Sequence, residues 1–205
     1  MPAVDPKTLK LGDILITAAS NTVSHCGLVA GTTSINAASG RVDRPNIVYH
    51  ATSSKGVTQD EAGTWAQGRG PTGVFRCKSL RFITQGGVSA EKKIADAAVA
   101  LSTRCSYGKG RAFFKSWTGT SDYGSSAKGR VAKYLLRLGA DGPFVTTLYC
   151  SEYVVLAYQI AAKGDESVGY FIDLDGKHTL PKDLRNWILQ RTTPGGSWEY
   201  LGDLV

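Results

Sequence analysis

Four short runs of β-branched and aromatic residues dominate the amino-terminal half, at 11–17, 26–31, 46–51 and 73–77, with Gly, Ser, Asn and Pro between them. Such runs favour extended backbone, and the turn-forming separators predict an antiparallel meander. From Ser89 the period lengthens. Ile94, Ala97, Ala98, Leu101 and Cys105 recur at helical spacing, so a helix is expected over 89–104 with Ser89 as its N-cap. The Gly/Ser-rich stretch 118–126 reads as a mobile loop, either a lid or a linker. A second helix, 127–138, places Val131, Tyr134, Leu135 and Leu138 on one face and Lys128, Arg130, Lys133 and Arg137 elsewhere. An apolar stripe of that width suits packing on a core better than lying on a membrane.

The most continuous apolar stretch follows. Tyr149-Cys150-Ser151-Glu152-Tyr153-Val154-Val155-Leu156-Ala157-Tyr158 predicts a buried helix running from Cys150 to Lys163, stopped by Gly164. Beyond it, 170–173 reads as a strand, 181–188 as a short helix with Pro181 in its first turn, and 198–201 as a closing strand. With no internal repeat, the pattern predicts an α+β fold in one domain over 1–205, an antiparallel sheet packed against helices.

A chain of 205 residues is long enough to bury a core without metal or disulfide support. Its four cysteines are widely spaced, with no C-x-x-C pair, which argues against a zinc cluster or a disulfide framework; the thiols are expected to be reduced, with no cofactor or metal. The polar first residues and the lack of a membrane-length apolar stretch predict a soluble protein made in the cytoplasm without a signal peptide, a reading compatible with export to the periplasm by a specialised secretion system. Charge adds a local feature. Of the 24 basic and 17 acidic residues that give a net +7, Arg104, Lys109, Arg111, Lys115, Lys128, Arg130, Lys133 and Arg137 face Asp122 alone in one segment. A field of that sign suits phosphate, an anionic cell-wall polymer, an anionic membrane surface or an acidic protein partner, such as an inhibitor or immunity protein, and equally a solvated helix face that aids solubility. Nucleic acid is disfavoured, since no nucleic-acid motif accompanies the charge.

Cys150 is the leading candidate for chemistry. A thiol at a helix N-terminus sits beside unpaired N–H groups and the positive end of the helix dipole, which favour the reactive thiolate. Cys26, Cys77 and Cys105 read as small core hydrophobes. His25 stands at the mouth of one strand and His50 near the end of the next. Antiparallel pairing of those strands would make the two imidazoles neighbours, with His25 as base and His50 as orienter, or the reverse. Glu152 by charge opposes thiolate formation and reads either as an acid complementing the dipole or as a hydrogen-bonding support of the site. Ser151 lacks a G-x-S-x-G setting, and His178 is the reserve third member.

Taken in order, the Gly-Asp-Ile entry strand, Ser24-His25-Cys26-Gly27-Leu28-Val29, Val48-Tyr49-His50-Ala51, Cys105-Ser106-Tyr107-Gly108, Tyr149-Cys150-Ser151-Glu152 and Leu180-Pro181-Lys182-Asp183-Leu184 resemble the circularly permuted branch of the NlpC-type papain-like superfamily. That branch holds YiiX-like hydrolases and the lecithin:retinol acyltransferase group. The resemblance covers about residues 10–190, with a basic Gly/Ser-rich and helical insertion at about 108–147. It implies a permuted papain-like core, with Cys150 as nucleophile, His25 as base and His50 as third polar group. Glu152, Tyr149 and Tyr107 are then expected to support the site or touch substrate. The implied function is a cysteine hydrolase that cleaves amide bonds in peptidoglycan peptides through an acyl-enzyme, in the setting of an exported antibacterial effector. The alternatives are a lipid acyl hydrolase or acyltransferase, and a catalytically silent module that binds an anionic ligand.

Overall fold

The computed structural model describes residues 2–17, 24–31, 34–35, 42–44, 46–52, 55–65, 67, 69–107, 121–138 and 146–205. The fold is mixed α+β, built on a seven-stranded, mostly antiparallel sheet. Its strands are β1 (Ala3–Val4), β2 (Ile14–Thr17), β3 (His25–Gly31), β4 (Ile47–Thr52), β5 (Gly56–Glu61), β6 (Thr72–Cys77) and β7 (Trp198–Leu204), in the spatial order β1-β7-β6-β2-β3-β4-β5. The first three expected strands, β2 to β4, form a meander, but its next member is the unexpected β5. The fourth expected strand, β6, returns to the other flank of β2, and β1 closes the far edge in parallel with β7.

Polarity explains that order. β2 buries Ile14, Leu15 and Ile16 completely, the continuous apolar run of a strand covered on both faces. In β6, Val74 and Phe75 are buried likewise, so that strand needs an interior position. The polar Gly56–Glu61 strand can tolerate water and takes the edge.

The sheet separates two apolar clusters. Ile14, Ile16, Cys26, Leu28, Ala51 and Phe75 face a helical layer, whereas Leu15, Val29, Val48 and Val74 meet Val4, Leu9, Ala62 and Trp65 on the opposite face. The longer helices are α1 (Ala90–Ser102), α2 (Ser125–Leu138), α3 (Cys150–Ala161) and α4 (Pro181–Leu189), and a single helical turn, Ala62–Trp65, follows β5. Ser89 caps α1 as expected, accepting from the Lys92 N–H at 3.3 Å. Every residue of α3 is buried, which fits a helix apolar all round and packed against α1 and β3. Its end falls at Ala161 rather than Lys163. Lys163 and Gly164 adopt φ of +54° and +75°, and the Gly164 N–H donates to the Gln159 carbonyl at 2.9 Å.

Two expectations change. Cys105 leaves α1 and joins a short strand, Cys105–Tyr107, paired in parallel with Thr146–Leu148. The 170–173 segment is apolar but not a strand. The Gln159 amide of α3 donates to the Ile172 and Leu174 carbonyls at 2.9 and 2.7 Å, which occupies them without a strand ladder, and only an isolated Asp122–Leu174 bridge forms there. The basic helix α2 packs on the core, as its apolar stripe predicts. Ala127, Val131 and Tyr134 are buried, and Arg130 donates to Ser126 Oγ at 2.7 Å and forms an ion pair with buried Asp175. Lys109, Arg111, Lys115 and half of the expected 108–147 insertion, including 118–120 of the expected lid, lie outside the described residues. Among the described residues no helix is long and apolar enough to cross a membrane.

Candidate active site

The site forms where the N-terminus of α3 meets the first residue of β3. Cys150 is the first residue of α3, behind Tyr149 as N-cap in extended conformation. Tyr149 makes no side-chain cap, and the first N–H groups of any α-helix have no acceptor within the helix itself. The Cys150 side chain is nearly enclosed, at 6% exposure.

Sheet geometry brings the histidines together. Leu28 pairs with Tyr49, and continuing the antiparallel register sets Gly27 opposite His50, with His25 two residues further on the same face. His25 Nε2 lies 2.9 Å from His50 Nδ1, their rings edge to face. Since His25 uses Nε2 for His50, its Nδ1 is the ring nitrogen left to serve Cys150.

Electrostatics favours a thiolate at Cys150. Its thiol is held well below the ordinary range, chiefly by hydrogen bonding from the Cys26 thiol and then, against the penalty of burial, by the hydrogen bond and positive charge of His25. Cys26 is pushed the other way by burial and by the neighbouring sulfur, so Cys26 is the thiol of the pair and Cys150 the thiolate. Cys26 alternates to the helix side of β3, which brings it against α3. The expectation that Cys26 is only a core hydrophobe is therefore incomplete: it is buried, and it also lowers the Cys150 thiol. Cys77 is buried and raised by desolvation, and half-buried Cys105 is pushed up to about 12 by burial and then by the charge of Glu152.

Three further residues complete the surroundings. His50, only 1% exposed, places its second nitrogen, Nε2, 3.0 Å from Asp60 Oδ2. Arg69 Nη2 donates to that same oxygen at 3.0 Å, and Arg69 Nη1 donates to the Trp65 carbonyl at 2.6 Å. Trp65, fully buried, stacks on His25 with centroids 5.2 Å apart and planes 19° from parallel, and meets His50 edge-on at 4.5 Å. Gly27 makes room for it: a Cβ there would stand 2.8 Å from Trp65 Cη2 and 2.6 Å from Val48 Cγ1.

Asp60 was hidden in the sequence by its neighbours, because Gln59-Asp60-Glu61 reads as the solvated end of a polar strand. The available signal is positional. Asp60 pairs with Val48 across the β4–β5 hairpin, which puts it diagonal to His50 on one face.

The other expected residues occupy distinct places. Glu152 is buried in the first turn of α3. Tyr149 donates its buried hydroxyl to the Gly176 carbonyl at 2.8 Å, and its hydroxyl is raised by burial and then by the charge of Glu152. Tyr107 has its backbone in the short strand Cys105–Tyr107, and its side chain lies outside the described part. Ser151 donates to the Thr179 carbonyl at 2.6 Å from a fully buried position, which engages its hydroxyl in structure. His178 sits in the turn Gly176–His178, its Nε2 4.0 Å from Asp175, while the place beside His25 belongs to His50. Among the described residues no cluster of His, Cys, Asp and Glu has the arrangement of a metal site. Compared with protein families, curated proteins and solved structures, the chain finds no match.

Proposed function

We propose that this protein is a cysteine hydrolase that cleaves amide bonds through an acyl-enzyme, with Cys150 as nucleophile, His25 as acid and base and His50 as orienter. The observation that carries this reading is the 2.9 Å His25–His50 contact directly behind a helix-N-terminal thiol that His25 itself polarises. Nucleophile, base and orienting group are the minimal set for thiol-based acyl transfer.

In this scheme the Cys150 thiolate attacks the carbonyl carbon and forms a C–S bond, while the carbonyl electrons move to oxygen. The N–H at the start of α3 stabilises the resulting oxyanion. As the oxyanion collapses the C–N bond breaks, and the amine leaves with the proton from His25 Nδ1. Water then gives a proton to His25 and attacks the thioester, releasing acid and restoring the thiolate–imidazolium pair. The order of motifs resembles the permuted NlpC-type papain-like enzymes, and from that resemblance we take peptide amides of peptidoglycan as the substrate class. An anionic wall polymer suits the net +7 charge. The lipid-acyl alternative loses the support expected from α2, whose apolar face packs on the core and whose Arg130 is paired.

The test begins with a thiol-reactive probe. Cys150 is expected to be alkylated at least ten-fold faster than Cys77 near pH 6, and His25→Ala should abolish the difference. Digestion of purified peptidoglycan followed by mass spectrometry should then show new amine and carboxyl termini with wild type and none with Cys150→Ala. Equal reactivity of the two thiols, together with identical digests, overturns the proposal.

A further inference from the structure

The mutual orientation of two imidazoles is ambiguous in a way that an imidazole–carboxylate pair is not. A neutral imidazole carries one donor and one acceptor, so a His25–His50 contact can run in either direction. If His25 Nε2–H donates to His50 Nδ1, then His25 Nδ1 is an acceptor and can take the thiol proton. If His50 Nδ1–H donates to His25 Nε2, then His25 carries its proton on Nδ1 and cannot act as the base. Only the first direction is productive, and nothing in the histidine pair alone selects it.

We propose that Asp60, anchored by Arg69, is the positioning residue that selects the productive direction by fixing which nitrogen of His50 carries the proton. The inference rests on the Cys150–His25–His50 reading above and adds what orders its protons. An ionised carboxylate only accepts, so Asp60 Oδ2, 3.0 Å from His50 Nε2, requires the proton on Nε2 and leaves Nδ1 as the acceptor for His25. Burial, and then the charge of His25, hold His50 at about 4, so it stays neutral and keeps one donor and one acceptor at physiological pH.

A carboxylate 29% exposed could turn away into water, and Arg69 prevents this. Its guanidinium donates to Asp60 Oδ2 and to the Trp65 carbonyl, and lies 4.5 Å from the centre of the Trp65 ring. Trp65 packs in turn on both His25 and His50. Asp60, Arg69, Trp65 and His50 form a closed circuit, with His25 packed on Trp65, in which the anchor of Asp60 also holds the rings it orders. Against desolvation, which pushes its carboxyl up, His50 and the hydrogen bond and charge of Arg69 keep Asp60 below the usual carboxylate range, so the acceptor is present throughout the working pH range.

The test uses the full chain labelled with 15N-histidine, comparing wild type, Asp60→Asn and Arg69→Gln, with Asp96→Asn as a control for loss of an exposed carboxylate. An asparagine can accept from or donate to His50, so it removes the selection while keeping the shape. Wild type and control should show His50 protonated at Nε2 and bare at Nδ1. Asp60→Asn should show a mixture, Arg69→Gln a smaller admixture, and the iodoacetamide rate of Cys150 at pH 6 should fall about ten-fold in Asp60→Asn with the same fold retained by circular dichroism. Asp60→Glu should recover most of the rate. A purely structural role would lower thermal stability without changing the tautomer. Unchanged His50 tautomer and unchanged alkylation in Asp60→Asn overturn the inference, and so does a misfolded Asp60→Asn combined with an Arg69→Gln variant of wild-type tautomer and rate. These readouts need no substrate: loss of tautomer selection in a protein that cleaves nothing would uphold the inference and sink the hydrolase reading.

Discussion

Burial of a neutral His50 ties stability to pH. The ring is nearly inaccessible, and desolvation first, with the charge of His25 second, lowers it from 6.5 to about 4 in spite of Asp60. Between those values the unfolded chain binds a proton that the folded protein refuses. Stability is therefore full above pH 6.5, is lost as pH falls through the window, and stops falling from this source below about 4, where both states are protonated. At 1.36 kcal/mol per pH unit the full window is worth about 3 kcal/mol, and the step from pH 7 to pH 5 about 2 kcal/mol. His50→Gln removes the titration while keeping a polar side chain of similar reach. Urea unfolding at pH 7, 6 and 5, followed by tryptophan fluorescence, should show wild type losing about 2 kcal/mol more than the variant across the series. Buried Asp13, raised by desolvation against the hydrogen bond and charge of Arg76, titrates in both proteins and cancels in the difference. If the two proteins lose stability in parallel, within about 0.5 kcal/mol, His50 is not held neutral by the fold and the relay drawn from its geometry fails with it.

Further outcomes follow from the packing and charge around the site. Gly27→Ala drives a methyl to 2.6 Å from Val48 Cγ1 and 2.8 Å from Trp65 Cη2, and is expected to cost about 1–3 kcal/mol and to slow Cys150 alkylation by displacing Trp65 from His25. A variant that melts with wild type and reacts at the wild-type rate would show that Trp65 is not seated by this glycine. Asp13→Ala strips Arg76 of two hydrogen bonds, at 2.7 and 2.6 Å, and should cost about 3 kcal/mol in denaturant, whereas Lys92→Ala, which breaks an exposed pair with Asp96, should cost less than about 0.5 kcal/mol. Equal costs would refute the burial argument. Cys26→Ala removes the thiol that acts most strongly on Cys150, so the pH profile of Cys150 alkylation should move upward, with a several-fold slower rate at pH 6. An unmoved profile would leave His25 as the sole source of thiolate.

Much of the fold is written in residues whose burial and backbone preference agree. Ile14-Leu15-Ile16 and Val74-Phe75 announce interior strands, Ser89 caps α1, and Gly164 supplies the left-handed turn after α3. Where preference and context disagree, the sequence misleads. Tyr170-Phe171-Ile172 has strand composition, but the carbonyls that a ladder would use are taken by one glutamine, a partner that no local pattern reveals. The opposite error hides Gly56–Glu61. This strand is polar because it is an edge, and a search for apolar alternation passes over it.

That hidden strand is why the site was legible only in part. Cys150 is visible from its position on a helix, and the His25–His50 contact follows from one hairpin, since strands that run antiparallel must bring one beginning beside the other's end. Asp60 requires a second hairpin whose outer strand carries no hydrophobic signature, and Trp65 and Arg69 require in addition the placement of the helical turn Ala62–Trp65 and of the guanidinium that reaches back to Asp60. Cys26 is concealed by alternation. A residue beside His25 in sequence points to the opposite face of the sheet, and only the placement of α3 on that face brings it into contact with Cys150. The thiol at the start of one helix is thus acted on from both sides of one strand, by the His25 imidazole and by the Cys26 thiol through the core. Changing the pairing of β3 by one residue would exchange the two faces and separate both from the sulfur, so the register of this hairpin, more than any single side chain, is what the chemistry depends on.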